Sequence, residues 1–436
     1  DRLNQYINAS IGDAAILNPI LSADSASSEI EGKVFEGLLD RDENLNFRGR
    51  LAKTWRIYED AYFYINAAAD IPGHGRLNPQ AVVELLQDSK QTENLSPPAL
   101  KQTLDNIHSV SLIQPRTYTV TRPYKTSPDS EKTDKIKIDV SAPARVKLEL
   151  GEVDQDLFAN LEQLLGKAYF ASFRGQQFLT AQPSIEKERL SFYARELLPP
   201  TEHNPVILFN LRENVKFHDG HMFDANDVKF TYEAIIDPRN LSPRISDYEP
   251  VKTVEVVDPL TVRIVYKRLY SPAIGTWGMG ILPEHLLNSQ AIKNEAVSLN
   301  KDVQNFAMRQ SGFNRHPIGC GPFTFREWKS DQYIILARFE DYWEGPPNYK
   351  KYVFRVIPDL LTQEMEFYAG TIDSYGVQPH QVKRLKEDLR YQGFSGTSFA
   401  YTYICYNIRR APYDDRRVLQ ALSMPIDPDK IIEYFK

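Results

Sequence analysis

His218, Asp219 and His221 place two imidazoles and a carboxylate in one short stretch, and such side chains hold zinc or move protons. Asp219-Gly220 is also turn chemistry, because glycine reaches positive φ without steric cost. Two rings at i and i+3 across a turn do not converge on one ion as they do on a helix. No third or fourth ligand stands at a known metal spacing, so the stretch is read as framework. Cys320 and Cys405 are the only thiols. Neither has a basic neighbour in sequence to make it a nucleophile. They either pair or, as preferred here, stay as two buried thiols. Gly278-Met279-Gly280 lacks the third glycine and the helix of a dinucleotide fingerprint, and no hydrolase, zincin or P-loop motif occurs in context. No catalytic residue, metal or cofactor is assigned, and the chain is not read as an enzyme.

The elements around that turn are clearer. Val206, Leu208, Phe209, Leu211, Val215 and Phe217 form a half-buried strand pattern leading to Asp219-Gly220. Asp224 then has the place of a helix N-cap, with Asp227 adding negative charge to the first turn and Val228, Tyr232 and Ile235 following at helical spacing.

At 436 residues, with 42% hydrophobic and 11% aromatic content, the chain predicts two or three domains with sizeable cores. A net charge of −6 without a sustained Lys/Arg run argues against nucleic acid as a partner. No apolar run of ~18 residues predicts a membrane span, and no signal peptide is visible.

Near the N-terminus a small-residue loop, 22–28, leads to an expected helix over 29–39 with Ile30, Val34, Phe35 and Leu38 on one face. Residues 68–204 are read as an inserted α+β subdomain. It has helices expected over 79–86, 98–107 and 154–165, strands over 109–121 and 135–150, and a polar linker at 127–134. Residues 251–257 and 261–266 predict a hairpin through Asp258-Pro259.

Several ordered motifs carry a resemblance. Lys216 to Phe223, followed by Ala225, Asp227, Val228 and Phe230, resembles the K-F-H-D-G-x-x-F signature of extracellular solute-binding proteins, family 5, of peptide/nickel-type ABC transporters. Gly37-Leu38-Leu39, Leu51-Ala52-Lys53-Thr54-Trp55, Ile281-Leu282-Pro283-Glu284-His285-Leu286, Pro317-Ile318-Gly319-Cys320-Gly321-Pro322-Phe323, Gly370-Thr371-Ile372-Asp373 and Asn407 to Asp427 also match family elements in order. Pro425 departs from the usual alanine and is expected to end its helix early.

The resemblance implies a mixed α/β, two-lobed periplasmic-binding-protein type II fold, the Venus flytrap. Residues 1–44, 45–270 (with the insertion) and 271–357 would build the first lobe, and 358–436 would begin a second lobe expected to be incomplete. It implies a receptor that captures a small molecule or peptide, short oligopeptides by default, for an ABC permease in the inner membrane. The location would be periplasmic or extracytoplasmic, with or without a lipid anchor. Nickel chelates, haem or oligosaccharides are the alternative ligands. A signalling or scaffolding role, with a protein partner on the 68–204 insertion, is the alternative function. Three segments resemble the family's cleft: Ser25, Ala26 and Ser27; Trp277 and Met279; and Tyr375, Gly376, Val377 and Gln378. The first is otherwise a surface loop, and Trp277 is otherwise a core residue. Tyr375 to Gln378 would follow a strand end at Ile372-Asp373 and offer main-chain groups to an extended ligand. Tyr401 and Tyr403 would line the second lobe's floor.

Overall fold

The computed structural model describes residues 2–93, 95–124, 134–396 and 403–435. Two sheets organise most of them. The first has four strands in the order Gln5–Ser10, Lys351–Val356, Tyr333–Arg338, Phe323–Lys329. Its first pair is parallel, with Gln5 opposite Lys351 and Ser10 opposite Val356; the others are antiparallel. The N-terminal strand is therefore completed by residues almost 350 positions away, and one of its edges stays open to other segments.

The second sheet is antiparallel, in the order Val251–Asp258, Thr261–Tyr266, Thr201–Leu211, Ala52–Tyr64, Arg145–Leu150, Ile107–Ile113. The hairpin expected at 251–266 forms its outer pair. The segment expected as an inserted subdomain runs into this sheet: Glu59 to Phe63 pair with Thr201 to Pro205 on one side, and Glu59 to Tyr64 with Arg145 to Leu150 on the other. The strands expected over 109–121 and 135–150 are each broken once. Gln114-Pro115 and Pro143-Ala144 fall opposite each other, and proline has no N–H for a ladder. Pairing resumes beyond them, Arg116–Tyr124 with Asp134–Ala142, and Leu179–Gln182 adds a third strand. Of the linker expected at 127–134, only Asp134 lies among the described residues.

Hydrophobic periodicity explains the cores. Leu157, Leu161 and Leu165 on the helix Leu157–Leu165 are fully buried against Ala61, Phe63, Val146 and Leu148 of the sheet. The helices Pro79–Gln91 and Pro98–Asn106 pack into the same cluster. Ile136, Ile138 and Val140 instead face Phe173, Tyr193 and Leu198 in a separate cluster.

The helix expected over 29–39 is displaced to Ser25–Val34. Asp24 caps it, accepting from the Ser27 amide at 2.7 Å, so the small-residue loop partly becomes the first helical turn. Past Val34 the chain extends because residues 36–38 are needed elsewhere. Leu38 donates to the Trp277 carbonyl (2.8 Å), and the Glu36 carbonyl accepts from Ile281 (2.9 Å). Phe35 and Leu38 are still buried. Asp224 caps Ala225–Ile236, and Asp227 goes further than first-turn charge: its carboxylate accepts from the Asp224 amide at 2.9 Å, closing a capping box.

Candidate functional site

The turn that looked most chemical is structural in its contacts. Gly220 sits at φ +92°, a conformation that suits glycine. His218 turns away from His221: its Nε2 donates to the Gly321 carbonyl (2.9 Å) and its Nδ1 accepts from the Gly319 amide (3.3 Å). That arrangement needs a neutral ring, and burial lowers the His218 pKa to about 4. Asp219 pairs with His285 at 2.7 Å, and His221 stacks on His285 with centroids 3.9 Å apart. Among the described residues no three His, Cys, Asp or Glu are placed to hold an ion. Cys320 is buried, which drives its thiol pKa well up, whereas Cys405 is exposed; both are free. The reading of two buried thiols is corrected at Cys405, which is exposed together with its neighbours Tyr403 and Ile404.

His218 gives a pH prediction. Unfolded, an imidazole titrates near ~6.5, so the stability that His218 contributes is present above that pH and is lost as pH falls through about 4. The full effect is on the order of 3 kcal/mol. Urea unfolding from pH 8 to 4 should therefore show a shallower acid limb in His218→Gln than in the wild type; parallel limbs would refute this. Glu31, buried and raised to about 7, acts in the opposite sense. It contributes most below its unfolded pKa and costs stability as pH rises, so comparing variant with wild type isolates the histidine.

The three expected cleft segments separate. Ser25 is exposed at the start of the first helix, while Ala26 and Ser27 are buried. The Ser27 hydroxyl donates to Asp24 (2.7 Å) and accepts from the Ala15 amide (3.0 Å), so it holds the loop after the N-terminal strand. Trp277 lies past the other end of this helix, about 15 Å long. It is 2% exposed, with Nε1 donating to the Tyr266 hydroxyl at 2.9 Å and its ring edge-on to Tyr248. Of its two readings the structure selects the core residue. Met279 is half-buried against the same cluster. Beside it Arg41, Phe47, Asp247, Tyr270, Gly275 and Thr276 line an open depression of about 480 Å³, with the Arg41 guanidinium 4.1 Å from the Phe47 ring centroid.

Tyr375 to Gln378 lie outside any helix or strand, with Gln378 in the extended region. Tyr375 stacks on Phe367 and donates to Gln381 Oε1 (3.1 Å), which also accepts from the Gln378 amide (3.0 Å). Gly376 and Val377 are exposed. The strand end expected at Ile372-Asp373 is corrected: no strand forms there, because a side chain does part of the pairing. Asp373 donates its amide to the Ile7 carbonyl (2.8 Å), but the Ile7 amide goes to the Asp373 carboxylate (2.7 Å). Arg2 grips that carboxylate with two bonds of 2.9 and 2.8 Å. Tyr403 is exposed, and Tyr401 lies outside the described residues.

Sequence reasoning missed the side chains behind this segment. Ser374 donates to Asn8 Oδ1, Asn8 Nδ2 donates to Glu29, and the Tyr352 hydroxyl donates to the same carboxylate oxygen. Asn8 lies on the N-terminal strand, and Glu29 lies about one turn past Ser25. None stands in a motif; the Asp of Gly370-Thr371-Ile372-Asp373 was the available signal.

Comparison with known proteins fits this architecture. The model of the bacterial extracellular solute-binding proteins, family 5 (middle region), matches residues 201–436. The oligopeptide-binding protein AppA of Bacillus subtilis is 32% identical over 227 residues, 51% of this chain and 39% of that protein. The heme-binding protein A of Haemophilus influenzae is 30% identical over 244 residues, 52% of this chain and 42% of its own. In structure, NikZ of Campylobacter jejuni, solved with Ni(L-His), superposes on 99% of this chain and 55% of its own with a TM-score of 0.55 at 19% identity. AppA, solved with a nonapeptide, gives 98%, 55% and 0.54 at 21% identity. The chain thus spans about half the length of the relatives it matches. Among the described residues no helix is long and apolar enough to cross a membrane. With the signature turn and its capped helix inside the matched region, and the same mixed α/β fold throughout, the chain belongs to the bacterial extracellular solute-binding proteins, family 5.

Proposed function

We propose that the chain is part of a solute-binding receptor of an ABC importer, and that its solute is a short oligopeptide. The family match over residues 201–436 carries the receptor reading; the similarity to an oligopeptide-binding protein supports the choice of ligand. On this reading, residues 1–44, 45–270 and 271–357 belong to one lobe and 358–436 open a second. The lobes close on the solute by hinge motion, outside the cytoplasm, and deliver it to a membrane permease.

The ligand contacts would centre on Tyr375 to Gln378 and the exposed Ser25. Gly376 has no atom within 4 Å of where a side chain would project, so a peptide backbone can approach this segment closely and pair with it. Trp277 is left out, because its ring is enclosed.

Thermal unfolding of the natural protein with short peptides, haemin and nickel–histidine tests the reading. A peptide at ~100 times its Kd should stabilise the protein by about 2.7 kcal/mol. Stabilisation by haemin or nickel–histidine alone would overturn the peptide assignment, and stabilisation by no solute would overturn the receptor.

A further inference from the structure

We infer that Asn8 is a positioning residue whose side-chain amide couples the first helix to residues 374–378. This rests on the reading that those residues meet the solute. The amide fits its two partners in only one orientation: Nδ2 must donate to the acceptor-only Glu29 carboxylate, which leaves Oδ1 to accept from the Ser374 hydroxyl. Glu29 is held in turn by the Tyr352 hydroxyl, and Tyr352 is 6% exposed in the core. The relay therefore starts from a fixed point. One residue earlier, Asp373 is tied to Ile7 through its amide and carboxylate and to Arg2 through a two-bond fork.

Together these contacts fasten Asp373 and Ser374 to the open edge of the N-terminal strand by side chains instead of a continuous ladder. Side-chain fastening holds one point while leaving residues 375–378 outside the sheet. Gln378 is engaged with Gln381 and the Gly376 carbonyl with the Gln378 side chain, so the main-chain groups left to a ligand are those of Tyr375 and Val377 and the Gly376 amide. Asn8 sets where that segment begins, and Glu29 sets its place relative to Ser25, so the two expected contact segments share one reference.

Hydrogen exchange of the natural protein, wild type against Asn8→Ala, Ser374→Ala and the double variant, tests this without a ligand. Exchange of the Asp373 and Gln378 amides, which donate to the Ile7 carbonyl and to Gln381 Oε1, should accelerate on the order of tenfold in each single variant, the scale of one lost hydrogen bond. The double variant should add little more, because both substitutions break one relay. Amides of Thr201–Leu211 should keep their wild-type rates, showing that the fold survives. Unchanged exchange at Asp373 and Gln378, additive effects, or equal acceleration at these amides and across Thr201–Leu211 would overturn the inference. Calorimetry with tetra-alanine supplies a functional reading: Asn8→Ala should weaken binding about tenfold, and equal affinity for both proteins would overturn the role. If the wild type does not bind tetra-alanine, the peptide reading loses support, while exchange still decides the relay.

Discussion

Gly319→Ala should cost more than about 4 kcal/mol, at the extreme of single-residue effects, and leave little folded protein. A Cβ on Gly319 would stand 2.0 Å from the Val34 carbonyl oxygen and 2.8 Å from its carbon. The obstacle is backbone, so no rotamer change relieves it. Val34 cannot recede, because its carbonyl accepts from the Gly321 amide at 2.9 Å. Gly319 cannot recede either, since its carbonyl accepts from the His218 amide at 2.8 Å and its own amide donates to His218 Nδ1. This approach joins the end of the first helix, the Pro317 to Phe323 loop and the His218 turn. Gly32→Ala is the control: it lies in the same helix with nothing within 4 Å, so the exchange should be neutral or stabilise by up to ~1 kcal/mol. Urea midpoints of the two variants read the contrast. A Gly319→Ala midpoint near wild type would show that this approach is looser than described.

Arg50→Ala should cost about 3–5 kcal/mol, the usual penalty for stranding one member of a buried ion pair. The Glu36 side chain is 7% exposed. Its carboxylate accepts from Arg50 Nε (2.7 Å), Arg50 Nη2, the Tyr342 hydroxyl (2.7 Å) and Trp343 Nε1 (2.6 Å). Arg50 also reaches Glu344 at 2.8 Å. Removing the guanidinium leaves a buried anion with only neutral donors, and burial together with that anion already pushes the Tyr342 hydroxyl pKa up. Arg50→Met combined with Glu36→Gln should recover most of the loss, because it removes the charge with its partner. Chemical denaturation of the single and double variants is the measurement. A single-variant loss under ~1 kcal/mol would mean that water reaches Glu36 and the pair counts as a surface one.

Local chemistry was legible in the sequence, and long-range placement less so. The Asp224 cap, the Asp-Gly turn and the 251–266 hairpin are determined by neighbours a few residues away, and patterning finds them. The first helix lies at Ser25–Val34 and not over 29–39 because its end depends on hydrogen bonds from residues 36–38 to 277–281, a constraint that no local window contains. Trp277 offered two readings for the same reason: its enclosure by Tyr266, Tyr248 and Phe209 is tertiary. The strands of 107–150 were found, but not that two prolines pass them from one sheet to another. At the candidate site the Tyr375 to Gln378 segment came from a motif, whereas Asn8, Glu29 and Tyr352 act through packing that brings residues more than 300 positions apart together.

The solute proposed for this receptor is peptide. Native mass spectrometry of the natural protein, isolated from its own cells and gently released, tests it most directly. A peptide receptor should carry a heterogeneous set of added masses that fragment as short peptides, because main-chain pairing tolerates many sequences. A single added mass identified as haem, a nickel chelate or a sugar would contradict it.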